Sequence, residues 1–357
     1  MPESPQFAGA ALDAARQAIA ADLVAAQFSQ QPQLESRYGA QGRAKCLQDA
    51  EYHLSYLAQA VAADEPILFA EYLRWSRSML HSRGIGADDL ASHLRAMRDM
   101  LRRHLAPEIF EQAERHLDQG LAALAAGDGH DGTFLGAAGP LGDLAREYLD
   151  RLLEGDRHGA SQRVLDAVEN GQGVRDIYLE VFQPVQREIG RLWQTNRISV
   201  AEEHYCSAAT QLVMSRLYPR IFGSSGKAPV GRMVAVAVAG ELHEIGVRMV
   251  ADIFELEGWA TYYLGANTPP AGVVQTLIQR QAQVACISVT MTFNLPAAQA
   301  LIAAIRAAPG CAGVRILIGG YPLNLAPELW RKIGADAWAG DATEAAAVAR
   351  RLLDRAP

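Results

Sequence analysis

Five short runs of small and branched apolar residues recur in the last third of this 357-residue chain. A turn marked by Gly or Pro and then a helical stretch follow each run. The runs cover residues 233–239, 260–264, 284–289, 315–318 and 337–339. Strands that alternate with helices in this way predict a parallel sheet covered on both faces. The chain from 230 to 357 therefore predicts a flavodoxin-like, doubly wound five-stranded sheet, which binds ligands at the carboxyl ends of its strands.

The remainder of the chain has helical spacing, so the predicted class is α and α/β. Residues 1–130 predict a helical sensor or docking domain, with helices over 42–62, 67–83 and 87–105. Residues 141–222 predict a four-helix-bundle cap in front of the 230–357 domain. Glycine-rich stretches separate the three blocks, and Pro184 predicts a kink inside the helical pattern of the second block.

Composition excludes several classes of function. The chain has 33 Lys and Arg against 40 Asp and Glu, a net charge of −7, which argues against a nucleic-acid partner. The four cysteines form no CxxC pair, so neither a zinc site nor a disulfide framework is indicated. No signal-peptide pattern and no apolar run of about 18 residues is present. We expect a cytoplasmic protein without a membrane partner.

The loop after the first predicted strand carries the pattern Glu241-x-His243-x-x-Gly246. A histidine at the carboxyl edge of a parallel sheet faces any ligand bound there, and neutral imidazole is a good ligand for cobalt. A carboxylate two residues earlier can accept the proton of the other ring nitrogen, which sets the tautomer. Gly246 would allow a bulky group to approach closely. The alternative is an ordinary exposed ion pair.

This segment resembles the Asp-x-His-x-x-Gly signature of base-off/His-on cobalamin-binding domains, with Glu241 in place of the usual Asp. The resemblance implies that His243 is the lower cobalt ligand and that the nucleotide tail of the cofactor enters a channel along the sheet. Residues at other strand ends match the same family, and the resemblance implies that they line the cofactor site: Gly265, Ser288, Thr290, Gly319 and Gly320.

Trp193 precedes the pair Glu203–His204 by nine intervening residues, at a predicted bend between two helices. One interpretation is a core tryptophan and an acid favoured by the helix dipole. The other is an aromatic wall and polar groups that contact a ribose. With the 230–357 domain following, this cap resembles that of the CarH-type cobalamin photoreceptors, in which the trio shelters a 5′-deoxyadenosyl group. Gln194 stands where those receptors carry a second histidine, and no MerR-type DNA-binding domain is evident.

The first block carries aromatic and basic residues on neighbouring helices. They could wrap a conjugated ligand with carboxylate arms, or they could form the core of a docking or dimerisation domain, which the residues alone favour. A helical domain in front of this cap resembles the photocobilins, which implies a biliverdin site. The guessed pocket residues are Arg37, Arg43, His53, Trp75 and Arg77.

Together these resemblances imply a light sensor rather than an enzyme. Adenosylcobalamin would be the chromophore, with biliverdin as a candidate second one. Photolysis would move the cap and change a homo-oligomer or the contact with a downstream regulatory protein. The alternative is a corrinoid protein that carries methyl groups for a methyltransferase system. A mutase is excluded because its barrel needs about 250 residues, and a passive storage protein would bind cobalamin without a light response.

Overall fold

The computed structural model describes residues 4–126, 132–136, 139–222 and 228–354, apart from the side chains at 35, 37 and 38. The guessed pocket residue Arg37 and most of the two glycine-rich stretches therefore lie outside the described residues. The chain divides into two compact units. Unit 1 is Met1–Gly129 with Met291–Pro296 and Leu325–Lys332, and unit 2 is His130–Thr290, Ala297–Asn324 and Ile333–Pro357.

Unit 1 is built on five helices: α1 Pro5–Gln30, α2 Gln33–Ala63, α3 Pro66–His81, α4 Ala87–His104 and α5 Pro107–Ala126. The sequence predicted the middle three, but placed the start of the second at residue 42. Gly39, with φ of +61°, interrupts α2 and hides its first turns from a helical pattern. Both missed helices begin at a proline, which suits the first helical turn because its ring sets φ and its missing N–H needs no partner.

The helical cap occupies residues 140–221 of unit 2. Its segments are α6 Pro140–Leu153, α7 Arg157–Glu169, a continuous run of α8 Val174–Asp176, a π-helix Ile177–Phe182 and α9 Gln183–Gln194, and finally α10 Val200–Ile221. The predicted disturbance at Pro184 takes the form of the preceding π-helix. Proline cannot donate an i→i−4 bond, so a wider turn before it relieves the ladder. Buried Tyr148, Tyr178 and Phe182 fill the core of the cap.

The C-terminal part of unit 2 is the five-stranded parallel sheet that the sequence predicted, and its strand order is β2-β1-β3-β4-β5. Its strands are β1 Arg232–Ala237, β2 Ala260–Tyr263, β3 Val284–Ser288, β4 Arg315–Gly319 and β5 Ala337–Ala339. The intervening helices are α11 Ile245–Leu256, α12 Pro270–Gln279, α13 Leu295–Ala307, α14 Tyr321–Leu325, α15 Leu329–Lys332 and α16 Ala342–Asp354. The order reverses between β1 and β3, which places the expected binding crevice at the ends of those two strands.

Helix α11 lies between the sheet and the cap. Val247, Ala251 and Phe254 pack in the core that covers the sheet. Met249 and Ile253, on another face of the same helix, belong to the core of the cap. The helix therefore joins two hydrophobic cores, and it begins two residues after His243. Among the described residues no helix is both long and apolar enough to cross a bilayer.

Candidate functional site

Glu241 is fully buried at the carboxyl end of the sheet, in the loop between β1 and α11. Its Oε1 accepts hydrogen bonds from Nδ1 of His243 at 2.5 Å and from the backbone N–H of His243 at 3.1 Å. Its Oε2 accepts the backbone N–H of Thr290 at 2.9 Å. A buried carboxylate needs such partners to offset its lost hydration. Glu241 therefore ties the histidine loop to the end of β3.

The imidazole of His243 is 60% exposed, although the carboxylate that holds it is not exposed at all. Because the Glu241 carboxylate can only accept, Nδ1 donates and Nε2 keeps its lone pair for a ligand outside the protein. The hydrogen bond that the imidazole donates to Glu241 raises the pKa of His243, against the effect of partial burial, and the charges of Glu241 and Glu203 raise this pKa further. The contribution of Glu203 brings the first turn of α10 into the electrostatic surroundings of this ring.

Asn267 joins the loop after β2 to the loop after β1. Its side-chain Oδ1 accepts the backbone N–H of Gly240 at 2.8 Å, and its own N–H donates to the carbonyl of Glu241 at 3.0 Å. Asn267 has φ of +51° and Gly240 has φ of +81°, left-handed values that asparagine and glycine tolerate best. The segment that presents His243 is thus fastened on both sides.

Glu244 lies directly after His243 and was given no role by the sequence. Its Oε1 accepts Nε2 of Gln211 on cap helix α10 at 2.9 Å, and its Oε2 accepts the hydroxyl of Tyr263 on β2 at 2.9 Å. The sequence could not reveal this, because the partners lie 33 residues before and 19 residues after Glu244.

Packing within the fold explains why the positions at the strand ends are occupied by glycine. A Cβ on Gly320, whose φ is +119°, would lie 1.8 Å from the carbonyl oxygen of Val289. A Cβ on Gly319 would lie 3.1 Å from the carbonyl oxygen of Ala339, and one on Gly265 would lie 3.2 Å from Oε2 of Glu244. Of the four glycines predicted to border the site, Gly246 alone faces open space, with no atom within 4 Å of its ideal Cβ position.

Ser288 and Thr290 lie at the carboxyl end of β3, and both are partly accessible. The carbonyl of Ser288 accepts the N–H of Val238 at 3.2 Å, and Thr290 donates its N–H to Glu241. Their backbones thus join the ends of β1 and β3, where the strand order reverses. Neither hydroxyl is needed for these bonds.

The cap trio spans the turn between α9 and α10. Trp193 is the penultimate residue of α9, and Glu203 and His204 lie in the first turn and a half of α10. Glu203 accepts Nδ1 of His204 at 2.5 Å and the hydroxyl of Ser207 at 2.9 Å. The ring of His204 is largely exposed. Glu203 is therefore held toward both its neighbour and the surroundings of His243.

Within unit 1, the guessed pocket residues do not gather in one place. His53 is buried and its Nδ1 lies 2.8 Å from the hydroxyl of Tyr72, which stacks on Tyr56 with ring centroids 3.7 Å apart. Trp75 stacks near Tyr72 at 6.3 Å. Separately, Arg43 lies over the ring of Phe28, and Arg77 donates to the carbonyl of Leu124 at 2.9 Å. His53 and Trp75 share an aromatic cluster, whereas the two arginines stabilise other parts of the helical core.

Comparison with protein families accounts for the C-terminal sheet and the cap. Residues 231–350 match a family model described as a B12 binding domain, and residues 144–218 match a second model with the same description. The chain is a cobalamin-binding protein. Residues 8–124, which include the five helices of unit 1 except their outermost residues, match a family model described as phycobilisome protein. Among the described residues, no three His, Cys, Asp or Glu side chains gather as a metal site.

Several relatives share the cobalamin-binding region. Dimethylamine corrinoid protein 1 of Methanosarcina acetivorans is 27% identical over 194 residues, which are 53% of this chain and 90% of that protein. The dimethylamine corrinoid protein of Methanosarcina barkeri is 31% identical over 132 residues, 37% of this chain and 60% of that protein. The monomethylamine corrinoid protein of Methanosarcina barkeri has a similar fold, with a TM-score of 0.52 at 21% identity over 59% of this chain and 98% of that one.

These relatives correct the functional expectation. The Trp193, Glu203 and His204 spacing had led to a light sensor, but the proteins that match are named corrinoid proteins. The light-sensing function, with its photolysis-driven change of cap and oligomer, is therefore wrong. A three-residue spacing on one bend carries less information than a match over 194 residues, and the cobalamin-binding domain was common to both readings.

Proposed function

We propose that this protein is a corrinoid carrier that holds cobalamin for a methyltransferase system, with His243 as the lower ligand of cobalt. The observation that carries the proposal is the exposed imidazole of His243 bonded through Nδ1 to a fully buried carboxylate. The 27% identity to a dimethylamine corrinoid protein, over 90% of its length, supports a methylated amine as the ultimate methyl source.

The donor set suits a cobalt corrin. Nε2 of His243 retains its lone pair, the ring projects from the crevice at the strand-order reversal, and Gly246 beside it leaves open space. A metal-bound histidine commonly donates its other ring N–H to a carboxylate, which sets ring orientation and raises basicity. When bound, cobalamin would supply a cobalt centre that accepts and releases a methyl group.

The residues of the chain then have separable tasks. Glu241 orients the imidazole of His243 and raises the basicity of its Nε2, which strengthens the bond that this nitrogen could form to cobalt. Thr290 fixes Glu241 to the end of β3. Gly265, Ser288, Thr290, Gly319 and Gly320 are proposed to border the path of the nucleotide tail. Trp193, Glu203 and His204 are proposed to cover the opposite, methyl-bearing side of the corrin. No basic surface or substrate barrel is needed for this role, since a partner enzyme supplies the methyl donor.

The experiment that tests the ligand is a titration of the His243→Ala variant with aquocobalamin, read by absorption. We expect a folded protein that binds more than about 100-fold more weakly, because loss of the ligand itself should exceed the cost of losing an outer partner, and whose spectrum lacks the imidazole-bound form. A spectrum and an affinity equal to those of the wild type would refute the proposal. Circular dichroism of the two proteins controls for folding.

The form of the cofactor is tested by competition between methylcobalamin and adenosylcobalamin in the dark. A methyl carrier should bind the methyl form at least as tightly, and Trp193→Ala, which opens space above the corrin, should improve binding of the adenosyl form relative to it. A wild-type preference of about tenfold, or about 1.4 kcal/mol, for adenosylcobalamin would instead support the adenosyl form and contradict the carrier.

A second candidate activity belongs to unit 1 alone, and the match of residues 8–124 to the phycobilisome protein family favours it. We propose that this unit binds biliverdin beside the aromatic cluster of His53, Tyr56, Tyr72 and Trp75. Biliverdin added to the full chain should remain with the protein during gel filtration and show a shifted visible band. Trp75→Leu should weaken retention, and pigment that separates from the wild type would refute the site.

A further inference from the structure

Glu244 is the only side chain described above that contacts both the cap and the sheet beside the proposed cobalt ligand. It follows His243 in the chain, accepts Gln211 of α10 with one oxygen, and accepts Tyr263 of β2 with the other. Both oxygens of the carboxylate are therefore engaged by donors from two different layers of unit 2.

The surroundings of Glu244 are arranged for a carboxylate in that position. Gly265 has φ of +79°, and a Cβ there would lie 3.2 Å from Oε2 of Glu244, so the glycine leaves room for the side chain. The backbone carbonyl of Glu244 also accepts the N–H of Arg248 at 2.9 Å, which begins the hydrogen-bond ladder of α11. Side chain and backbone thus hold the same short segment.

The contact with Gln211 is part of a longer polar seam, which consists of Glu244, Arg248 and Asp252 on one stripe of α11. Arg248 donates to the carbonyl of Gln211 at 3.2 Å and to the hydroxyl of Ser215 at 2.7 Å. Asp252 accepts the hydroxyl of Tyr178 at 2.8 Å. Residues four apart lie on one face of a helix. The seam therefore joins α11 to α10 through Arg248 and to the π-helix of the cap through Asp252, and Glu244, directly before α11, is its end nearest to His243.

We propose that Glu244 is a positioning residue that couples the placement of the helical cap to the orientation of His243. Glu241, anchored to the end of β3, holds the imidazole of His243. Glu244, the next residue, is itself held by β2 and α10. A shift of α10 would therefore move the loop that carries the imidazole of His243. This inference rests on the proposed function, since it requires that His243 coordinates cobalt.

The test exchanges the hydrogen-bond donor Gln211 and the acceptor Glu244 between the two positions. Glu244→Gln replaces a charged acceptor of two hydrogen bonds with a neutral amide. That amide can pair with Gln211 only after the Gln211 amide turns over, and both bonds lose their charge-assisted strength. Gln211→Glu alone opposes two carboxylates. The double variant Glu244→Gln/Gln211→Glu restores both bonds, because Gln at 244 can accept Tyr263 through its oxygen and donate to Glu at 211 through its nitrogen.

Aquocobalamin titrations should show about tenfold weaker binding and a smaller imidazole-bound fraction for each single variant, the lower end of what outer ligand partners contribute. The double variant should recover to within about threefold, because coupled residues deviate from additivity. Effects that merely add in the double variant would overturn the coupling. Glu255→Gln is the matched control: this glutamate of α11 also bonds a hydroxyl of β2, that of Thr261 at 2.6 Å, but lies at the far end of the helix.

A second readout needs no cofactor. Hydrogen exchange of the α10 amides in the apo protein should speed up in Glu244→Gln and return to the wild-type rate in the double variant. Unchanged exchange in the single variant would also overturn the proposal. The two hypotheses can fail separately. If His243→Ala leaves the aquocobalamin spectrum unaltered, the proposed function is wrong. If His243→Ala loses the imidazole-bound spectrum but Glu244→Gln/Gln211→Glu does not recover binding, only the role of Glu244 is wrong.

Discussion

The imidazole of His243 and the carboxylate of Glu241 share a 2.5 Å hydrogen bond in which one partner is mostly exposed and the other is fully buried. The buried partner cannot turn, because its second oxygen is held by the N–H of Thr290. The exposed ring is therefore oriented from beneath while its outer nitrogen stays accessible.

Glu241→Gln is expected to weaken cobalamin binding about 10-fold to 100-fold. The amide is a poorer acceptor for Nδ1 than a carboxylate, and its NH2 group would oppose the N–H of either Thr290 or His243. Isothermal titration with aquocobalamin measures the loss. Glu241→Asp, which restores the residue usual in the family signature, should recover part of the affinity; equal binding by wild type and Glu241→Gln would contradict the orienting role.

Two glycines near the site should differ in how much stability they lose when replaced by alanine. Gly320→Ala combines a left-handed φ with a Cβ 1.8 Å from a carbonyl oxygen, so we expect a loss of unfolding free energy on the order of 3 kcal/mol. Gly246→Ala meets no atom within 4 Å and should leave that free energy within about 0.5 kcal/mol. Urea unfolding of the apo proteins measures both, and a Gly320→Ala variant as stable as wild type would contradict the packing described for β3 and β4.

Asp252 should make unit 2 more stable in mild acid. Burial raises the pKa of its carboxyl to about 6, in spite of the Tyr178 hydrogen bond and the charge of Arg248, while Glu255 raises it slightly further. A carboxyl with a raised folded-state pKa prefers the protonated native state, so its contribution is full below the unfolded value near 3.8 and is lost as pH rises through about 6.

The difference in unfolding free energy between wild type and Asp252→Asn isolates this effect. We expect the wild type to gain up to about 3 kcal/mol relative to the variant between pH 7 and pH 4. Unfolding curves at several pH values give the difference. Tyr178→Phe, which removes a hydrogen bond to the ionised form, should steepen it, and a difference that does not vary with pH would contradict the burial of Asp252.

Acid should destabilise unit 1. Burial lowers the pKa of His53 to about 3, with a further lowering from His93, and lowers that of His93 to about 4. Below pH 6.5 these two histidines take up protons in the unfolded chain but stay neutral in the folded protein. The free energy of unfolding therefore falls by about 1.4 kcal/mol per pH unit for each histidine as the pH drops toward 4. Hydrogen exchange of the α2 and α4 amides between pH 7 and pH 4 follows this loss. His53→Gln/His93→Gln should exchange with a weaker pH dependence, and an unchanged slope would exclude the two histidines as its source.

The sheet could be predicted because its central strands β1, β3 and β4 are largely buried and therefore appear as continuous apolar runs. The edge strands β2 and β5 are only partly buried, and the turns and helices around them made them recognisable. The runs at 260–264 and 337–339 fall on β2 and β5 within one residue. The helices of unit 1 were harder: α1 is rich in alanine, with little contrast between its faces, and Gly39 breaks the pattern of α2.

Within the candidate site, the sequence could predict the pairing of His243 with Glu241, because the two residues lie two positions apart on one loop. It could not identify Glu244, whose partners Gln211 and Tyr263 are distant in the chain, or the packing reason for Gly320. Such roles depend on the docking of layers, and no local pattern encodes them.

The brace that Asn267 forms between the loops after β2 and β1 has a consequence for how fast a ligand can be captured. Its two hydrogen bonds, to Gly240 and Glu241, are both made within the protein, so no ligand atom is needed to hold the receiving edge in shape. Ordering entropy is lost during folding rather than during association. Capture by this edge should then be limited by diffusion and by how readily the incoming corrin sheds its own axial base.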